Sequence, residues 1–200
     1  MKTNKAYFIQ RVVAYIIDII FITIISSLIT MPFVNNNNVA KLNEEMNNAA
    51  QNYTEKKIDM DTYVNQTLDI SYQEAKETGL SNVISIIVLV LYFVVFQIYN
   101  NGQTIGKKLL KIKIVKNDNS ELTMNNMIIR ELFNSFILVN IIVSVVILFG
   151  KNAYFYGAVS IELLQYIFII VTMFMIMIRK DGRGLPDMMA NTKVISSEEN

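Results

Sequence analysis

The sequence predicts an all-α membrane protein with four transmembrane helices, an extracytoplasmic helical hairpin and a small cytoplasmic β element. Three observations point there. The 200-residue chain is 52% hydrophobic with a mean hydropathy of +0.35, too apolar for an ordinary soluble domain. The apolar residues gather into four runs near the ~20 residues a helix needs to cross roughly 30 Å of hydrocarbon. Between those runs, Lys and Arg crowd onto one side.

The spans are expected at about 7–30, 81–99, 131–149 and 153–178. The first lacks a small-residue cleavage site, carries Asp18 in its middle and runs into Pro32, so it reads as an uncleaved span rather than a signal peptide. The third and fourth are separated only by Gly150, Lys151 and Asn152, which predicts a tight antiparallel hairpin. Lys2, Lys5 and Arg11, then Lys107, Lys108, Lys111, Lys113, Lys116 and Arg130, then Arg179, Lys180, Arg183 and Lys193 fall on one side. The positive-inside rule makes that side cytoplasmic, with both termini on it, in a bacterial-type plasma membrane.

The outer loop, 35–80, shows helical spacing of Val39, Leu42, Met46, Ala49, Ala50 and Tyr53, and again of Met60, Val64, Leu68 and Tyr72. Asp59 or Asp61 is placed to cap the second helix and Gly79 to stop it. Two Asn-x-Thr acceptors, at Asn52 and Asn65, are too common a pattern to carry weight. In the cytoplasmic loop, 100–130, Lys111–Val115 alternates with period two and reads as a strand. A turn at 116–120 and a return strand at 121–123 are expected, with Thr192–Ile195 of the tail, 179–200, joining the same sheet.

Ionisable residues inside the spans are the informative ones, since a charge at the bilayer centre costs roughly 2.5–3.5 kcal/mol on insertion scales. Arg11 and Asp18 are seven residues apart and share one helix face. About 10 Å of rise separates them, too far for a direct ion pair, so each needs another partner. Tyr15, Asn140 or Ser144 could donate to Asp18. Glu162, Gln165 and Tyr166 form a polar stripe on the fourth span, and Asn140 and Ser144 form one on the third. Lipid offers no hydrogen bonds, so such stripes should face one another around a cavity holding Asp18, Asn140, Ser144 and Glu162, an ion or proton site.

Zero Cys and zero His remove thiolate and imidazole chemistry. No nucleophile–base or metal-ligand arrangement appears, so no enzyme activity, metal or cofactor is expected. Gly102–Lys107 lacks the spacing of a phosphate loop and no βαβ unit surrounds it. Lys107, Lys108 and Lys111 read instead as contacts to anionic lipid headgroups, each contributing about 1 kcal/mol. A net charge of +1 gives no pull toward nucleic acid.

Together these pieces resemble the RDD family, integral membrane proteins named for one arginine and two aspartates. Arg11 and Asp18 match the family's first-span pair, Gly102-Gln103-Thr104-Ile105-Gly106-Lys107 its glycine-bracketed segment, Arg130-Glu131 its charged pair, and Leu185-Pro186-Asp187 with Asn191-Thr192 its terminal segment. The chain has Pro186 where the family usually has His, and Asn191 where it usually has Gly. The resemblance implies one membrane domain over 1–200 and pairs Asp187 with Arg11, so that Arg11, Asp18 and Asp187 form a buried charge network. Two functions follow as expectations. One is an accessory or scaffold protein whose network sets helix packing and tail docking, with the bilayer, a second copy or another membrane protein as partner. The alternative is a small cation/proton transporter using Asp18 and Glu162. No internal repeat is read in the sequence, and secondary transporters usually contain one, which favours the first.

Overall fold

A computed structural model describes residues 5–197. The first span is α1, Phe8–Thr30, followed by a single 3₁₀ turn at Met31–Phe33. Its 23 residues rise about 35 Å, enough to cross the hydrocarbon. Two amphipathic helices follow, α2 (Asn36–Thr54) and α3 (Met60–Glu77), capped by the Asn35 and Asp59 side chains on the N–H groups of Asn38 and Thr62. They pack as a hairpin with Tyr53 and Tyr63 stacked at 4.9 Å. Lys151 pairs with Asp69 at 2.6 Å and fixes the hairpin to the start of the last span.

Gly79 does not stop α3. Thr78 ends that helix and Gly79 opens the second span, α4, Gly79–Tyr99. Residues Leu91–Phe96 of α4 are π-helical, and this widened turn brings the consecutive Tyr92, Phe93 and Val94 all into the interior. The short α5 (Ile105–Leu109) leads into β1 (Ile112–Lys116).

The third span differs from expectation. α6, Met124–Asn134, and α7, Ile137–Val146 with a 3₁₀ turn to Phe149, meet at 66°. Phe136 sits at the break with φ 59°, in the left-handed region, and Ser135 turns its hydroxyl back to Glu131 at 2.5 Å. Arg130 and Glu131 therefore belong to a separate helix beneath the span. Residues 121–123 form no return strand, because Thr123 exchanges hydrogen bonds with Asn126 and caps α6. The last span, α8, runs Lys151–Ile178, and the chain closes with α9 (Leu185–Met189) and β2 (Thr192–Ser196), which pairs with β1. Most of the buried core lies at this ribbon end, where Ala14, Val94, Ile112, Ile114, Met127 and Val194 meet.

Contrary to the expectation from sequence, two halves of the chain repeat one plan. After α4, Gly102 (φ 76°) leads to extended Thr104, then α5, left-handed Lys111 (φ 54°) and β1. After α8, Gly182 (φ 64°) leads at the same spacing to extended Gly184, α9, left-handed Asn191 (φ 51°) and β2. The ribbon pairs antiparallel about Ile114 and Val194, so Ile112 opposite Ser196 exchanges with Thr192 opposite Lys116 on rotation by half a turn. The flanking bonds Asn117 N–H to Asn191 O (2.9 Å) and Ser197 N–H to Lys111 O (2.8 Å) exchange in the same way. The likeness reaches the helices that open each half. Gln10 accepts from the Tyr7 N–H and donates to Leu110 O; Asn126 accepts from the Thr123 N–H and donates to Ala190 O. Each half is thus two spans, a short helix and a strand, related by a pseudo-two-fold axis through the ribbon, and α2–α3 is an insertion in the first. Asn191 explains itself here: it holds a left-handed position, which Asn tolerates better than other side-chain-bearing residues.

Candidate functional site: a buried network of six charges

Asp18 lies ten residues into α1, about 15 Å along its axis from Phe8. It is fully buried, and its donors come from outside its own helix. Tyr92 OH donates to Oδ1 at 2.6 Å, the Gly106 N–H to Oδ1 at 2.7 Å, and Thr104 Oγ1 to Oδ2 at 2.5 Å. Thr104 also accepts from the Lys107 N–H, so one hydroxyl both caps α5 and holds the aspartate. Gly106 permits this approach: a Cβ there would stand 2.1 Å from Ala14 O and 2.9 Å from Asp18 Oδ1. The loop backbone enters the bundle at this depth, which lipid permits only where protein covers it.

A second centre forms around Asp187, also fully buried. Arg11 Nη2 donates to Oδ2 at 2.5 Å, Arg130 Nε to Oδ1 at 3.2 Å, and the Gly184 N–H to Oδ2 at 3.0 Å. Arg11 places another N–H on Gly182 O at 2.7 Å. Pro186, in the first turn of α9, leaves this arrangement undisturbed, since an N–H there lacks an intrahelical partner anyway. Burial alone would raise the Asp187 carboxyl, but the guanidiniums of Arg11 and Arg130 hold it below the usual carboxylate range.

Arg130 bridges this centre to Glu131, which accepts from Arg130, from Ser135 at 2.5 Å and from Asn134 at 3.2 Å. Lys107 completes the set. The Gln97 amide, with its oxygen toward the ammonium, accepts from Lys107 Nζ and donates to Phe93 O at 2.8 Å each. Burial, partly offset by the Glu131 and Asp18 carboxylates, pulls the Lys107 ammonium down to about 8. Three cations (Arg11, Lys107, Arg130) thus balance three carboxylates (Asp18, Glu131, Asp187) in one cluster. Arg11–Asp187, Arg130–Asp187 and Arg130–Glu131 are direct ion pairs. Asp18 is held by uncharged donors rather than joined to Arg11 and Asp187 as expected, and Lys107 feels the Glu131 and Asp18 carboxylates at longer range.

Several expected placements are corrected. Tyr15, Asn140 and Ser144 do not donate to Asp18. Asn140 donates to Phe136 O on its own helix, and Ser144 donates to Asn140 O and accepts from Asn82. Glu162 is exposed on the outside of α8, while Gln165 of the same stripe turns inward to Phe133 O. The cavity expected to hold Asp18, Asn140, Ser144 and Glu162 is not formed. Lys107 is no headgroup contact but part of the buried network, whereas Lys108 and Lys111 are exposed. Tyr92, Gln97 and Ser135 were not anticipated. Their polar groups lie within apolar runs, where a single hydroxyl or amide leaves periodicity unchanged.

Nothing among curated proteins or solved structures matches the chain. The model of the RDD family matches residues 5–191, an interval that contains all six charges of the network and ends just before β2. This chain is a membrane protein and belongs to the RDD family.

Proposed function

We propose that the protein is an accessory or scaffold component of the cell membrane, with both termini cytoplasmic, that holds the β-ribbon end as a fixed platform for a membrane-protein partner or a second copy. Enclosure of the buried carboxylates by protein donors carries this reading. Asp18, Glu131 and Asp187 are fully buried, and each accepts at least three hydrogen bonds from protein donors. A carboxylate that loads and releases protons needs a path to water, and Asp18 is instead fully buried among three protein donors, two on Oδ1 and one on Oδ2. Lys108 and Lys111, exposed beside the ribbon, suit contact with anionic headgroups at the same end. No step of chemistry is assigned to the network.

The transporter alternative gains from the internal repeat, an arrangement secondary transporters use. It loses its second proton carrier, because Glu162 faces outward from α8 and is not among Asp18's partners. Reconstitution of wild type and Asp18→Asn into proteoliposomes, with proton and Na⁺ or K⁺ flux recorded beside melting temperature, separates the two. The scaffold reading expects no coupled flux in wild type and a stability loss of ~2–3 kcal/mol in Asp18→Asn from weakened charge-assisted bonds. Coupled flux in wild type that a folded Asp18→Asn abolishes would overturn it.

A further inference from the structure

The pseudo-two-fold relation sets Thr172 at the place of Tyr92, Asn134 at that of Asp18, Gly184 at that of Thr104 and Pro186 at that of Gly106. The first half fills this place with a phenol, a threonine hydroxyl, a backbone N–H and the carboxylate they all donate to. The second half has a shorter hydroxyl, an amide and no N–H at Pro186, and at Gly184 it has no side chain, the space a Cβ would need being taken by Thr172 and Ile176. What remains between α1 and α8 is a cavity of about 180 Å³ lined by Asn134, Thr172 and Pro186 among others.

The chemistry of its wall is one-sided. Val12, Phe133, Phe168 and Met173 make it mainly apolar. Every charged side chain lining it is a cation, Arg11, Lys107 or Arg130, while the carboxylates that balance them do not line it. Two buried side-chain hydroxyls have no hydrogen-bond partner among the described residues, Tyr15 and Thr172, and both residues line this cavity. Leaving such a hydroxyl unpaired costs roughly 1–3 kcal/mol. Thr172 is 9% exposed and sits on the helix that borders lipid. Arg11 and Arg130 are already paired on their far side with Asp187 and Glu131, so the occupant this wall suits is one that adds hydrogen-bond acceptors and mild negative charge at one end and an apolar body at the other.

We propose that the cavity between α1 and α8 binds an anionic phospholipid of the surrounding bilayer, its head accepting from the cationic wall, Tyr15 and Thr172, and one acyl chain lying along the apolar side. The site stands apart from the scaffold reading, because it uses the unfilled half of the repeat and leaves Asp18 untouched. Phosphatidylglycerol is the probe and phosphatidylcholine, of equal chain length, its zwitterionic control.

Native mass spectrometry of the detergent-solubilised full chain should retain phosphatidylglycerol at concentrations where phosphatidylcholine is lost. Tyr15→Phe combined with Thr172→Val should weaken retention about tenfold. The lipid-free melting temperature should hold or rise, since the removed hydroxyls had no partner to lose. Equal retention of the two lipids by wild type, or undiminished retention by the double variant, would overturn the proposal. Should the double variant not fold, Ile169→Trp keeps every donor and fills the chain's space; wild-type retention by it would be equally fatal. Inorganic phosphate alone raising the wild-type melting temperature as much as phosphatidylglycerol does would make this a plain anion site and overturn the assignment of a lipid.

Discussion

At Asp187 two guanidiniums and a backbone N–H converge on one carboxylate, and the tail is held by that convergence. Its charged form is favoured in the folded chain, so its contribution to stability is present above the ordinary carboxyl range near 3.8 and disappears as pH falls below it. Acidification should free α9 and β2 before the spans melt. Protection factors over residues 185–196, with the pH dependence of intrinsic exchange divided out, should fall only as pH drops below the ordinary carboxyl range, and Asp187→Asn should show the low protection throughout. Arg11, Asp18 and Asp187 are visible in the sequence because a charge inside or beside an apolar run stands out. Lys107 misleads for the opposite reason. Beside Lys108 it looks like one more surface cation, and only the approach of α5 to α1 removes it from solvent.

Elements of this protein are placed by close backbone approach as much as by side-chain packing. Gly106 is the clearest case, with α1 filling the space its Cβ would need. Gly106→Ala should lower stability by more than the ~1–3 kcal/mol usual for overpacking, because the obstruction is backbone, and should loosen the Asp18 centre. Gly79 is the matched control, with nothing within 4 Å of an added Cβ. Gly79→Ala at the start of α4 should be neutral or stabilise by about 0.5–1 kcal/mol. Thermal unfolding in one detergent compares them directly. The bend between α6 and α7 is likewise a matter of elements. Hydropathy over 131–149 supports an unbroken span, but Arg130 and Glu131 gain buried partners only if α6 turns across the end of the bundle.

The whole molecule is a membrane-embedded pair of similar halves tied at one end by the ribbon, with the α2–α3 insertion at the other. Among the described residues three helices are long and apolar enough to cross a membrane, and the bent α6–α7 pair would make a fourth crossing. The chain has no cysteine, so single substitutions report topology without background. In sealed vesicles Asp118→Cys, in the ribbon turn, and Lys57→Cys, in the hairpin turn, should react with an impermeant maleimide from opposite faces. Labelling of both from one face would require an odd number of crossings to be abandoned between them.

Spans, hairpin helices and the Arg11–Asp187 pairing were legible, the last through family resemblance, because length, hydropathy and isolated charges are properties of local sequence. The donors to Asp18, the burial of Lys107 and the exposure of Glu162 were not, since helical periodicity tells which residues share a face but not which partner that face meets. The repeat stayed hidden for a related reason. Its two copies share backbone conformations, a positive-φ glycine, an extended cap and a left-handed residue before the strand, which different side chains can satisfy. Sequence alone thus determined that this chain enters the membrane and roughly where. Tertiary structure alone decided which charges cancel and which half keeps a cavity, because both depend on residues that only folding brings within hydrogen-bonding distance.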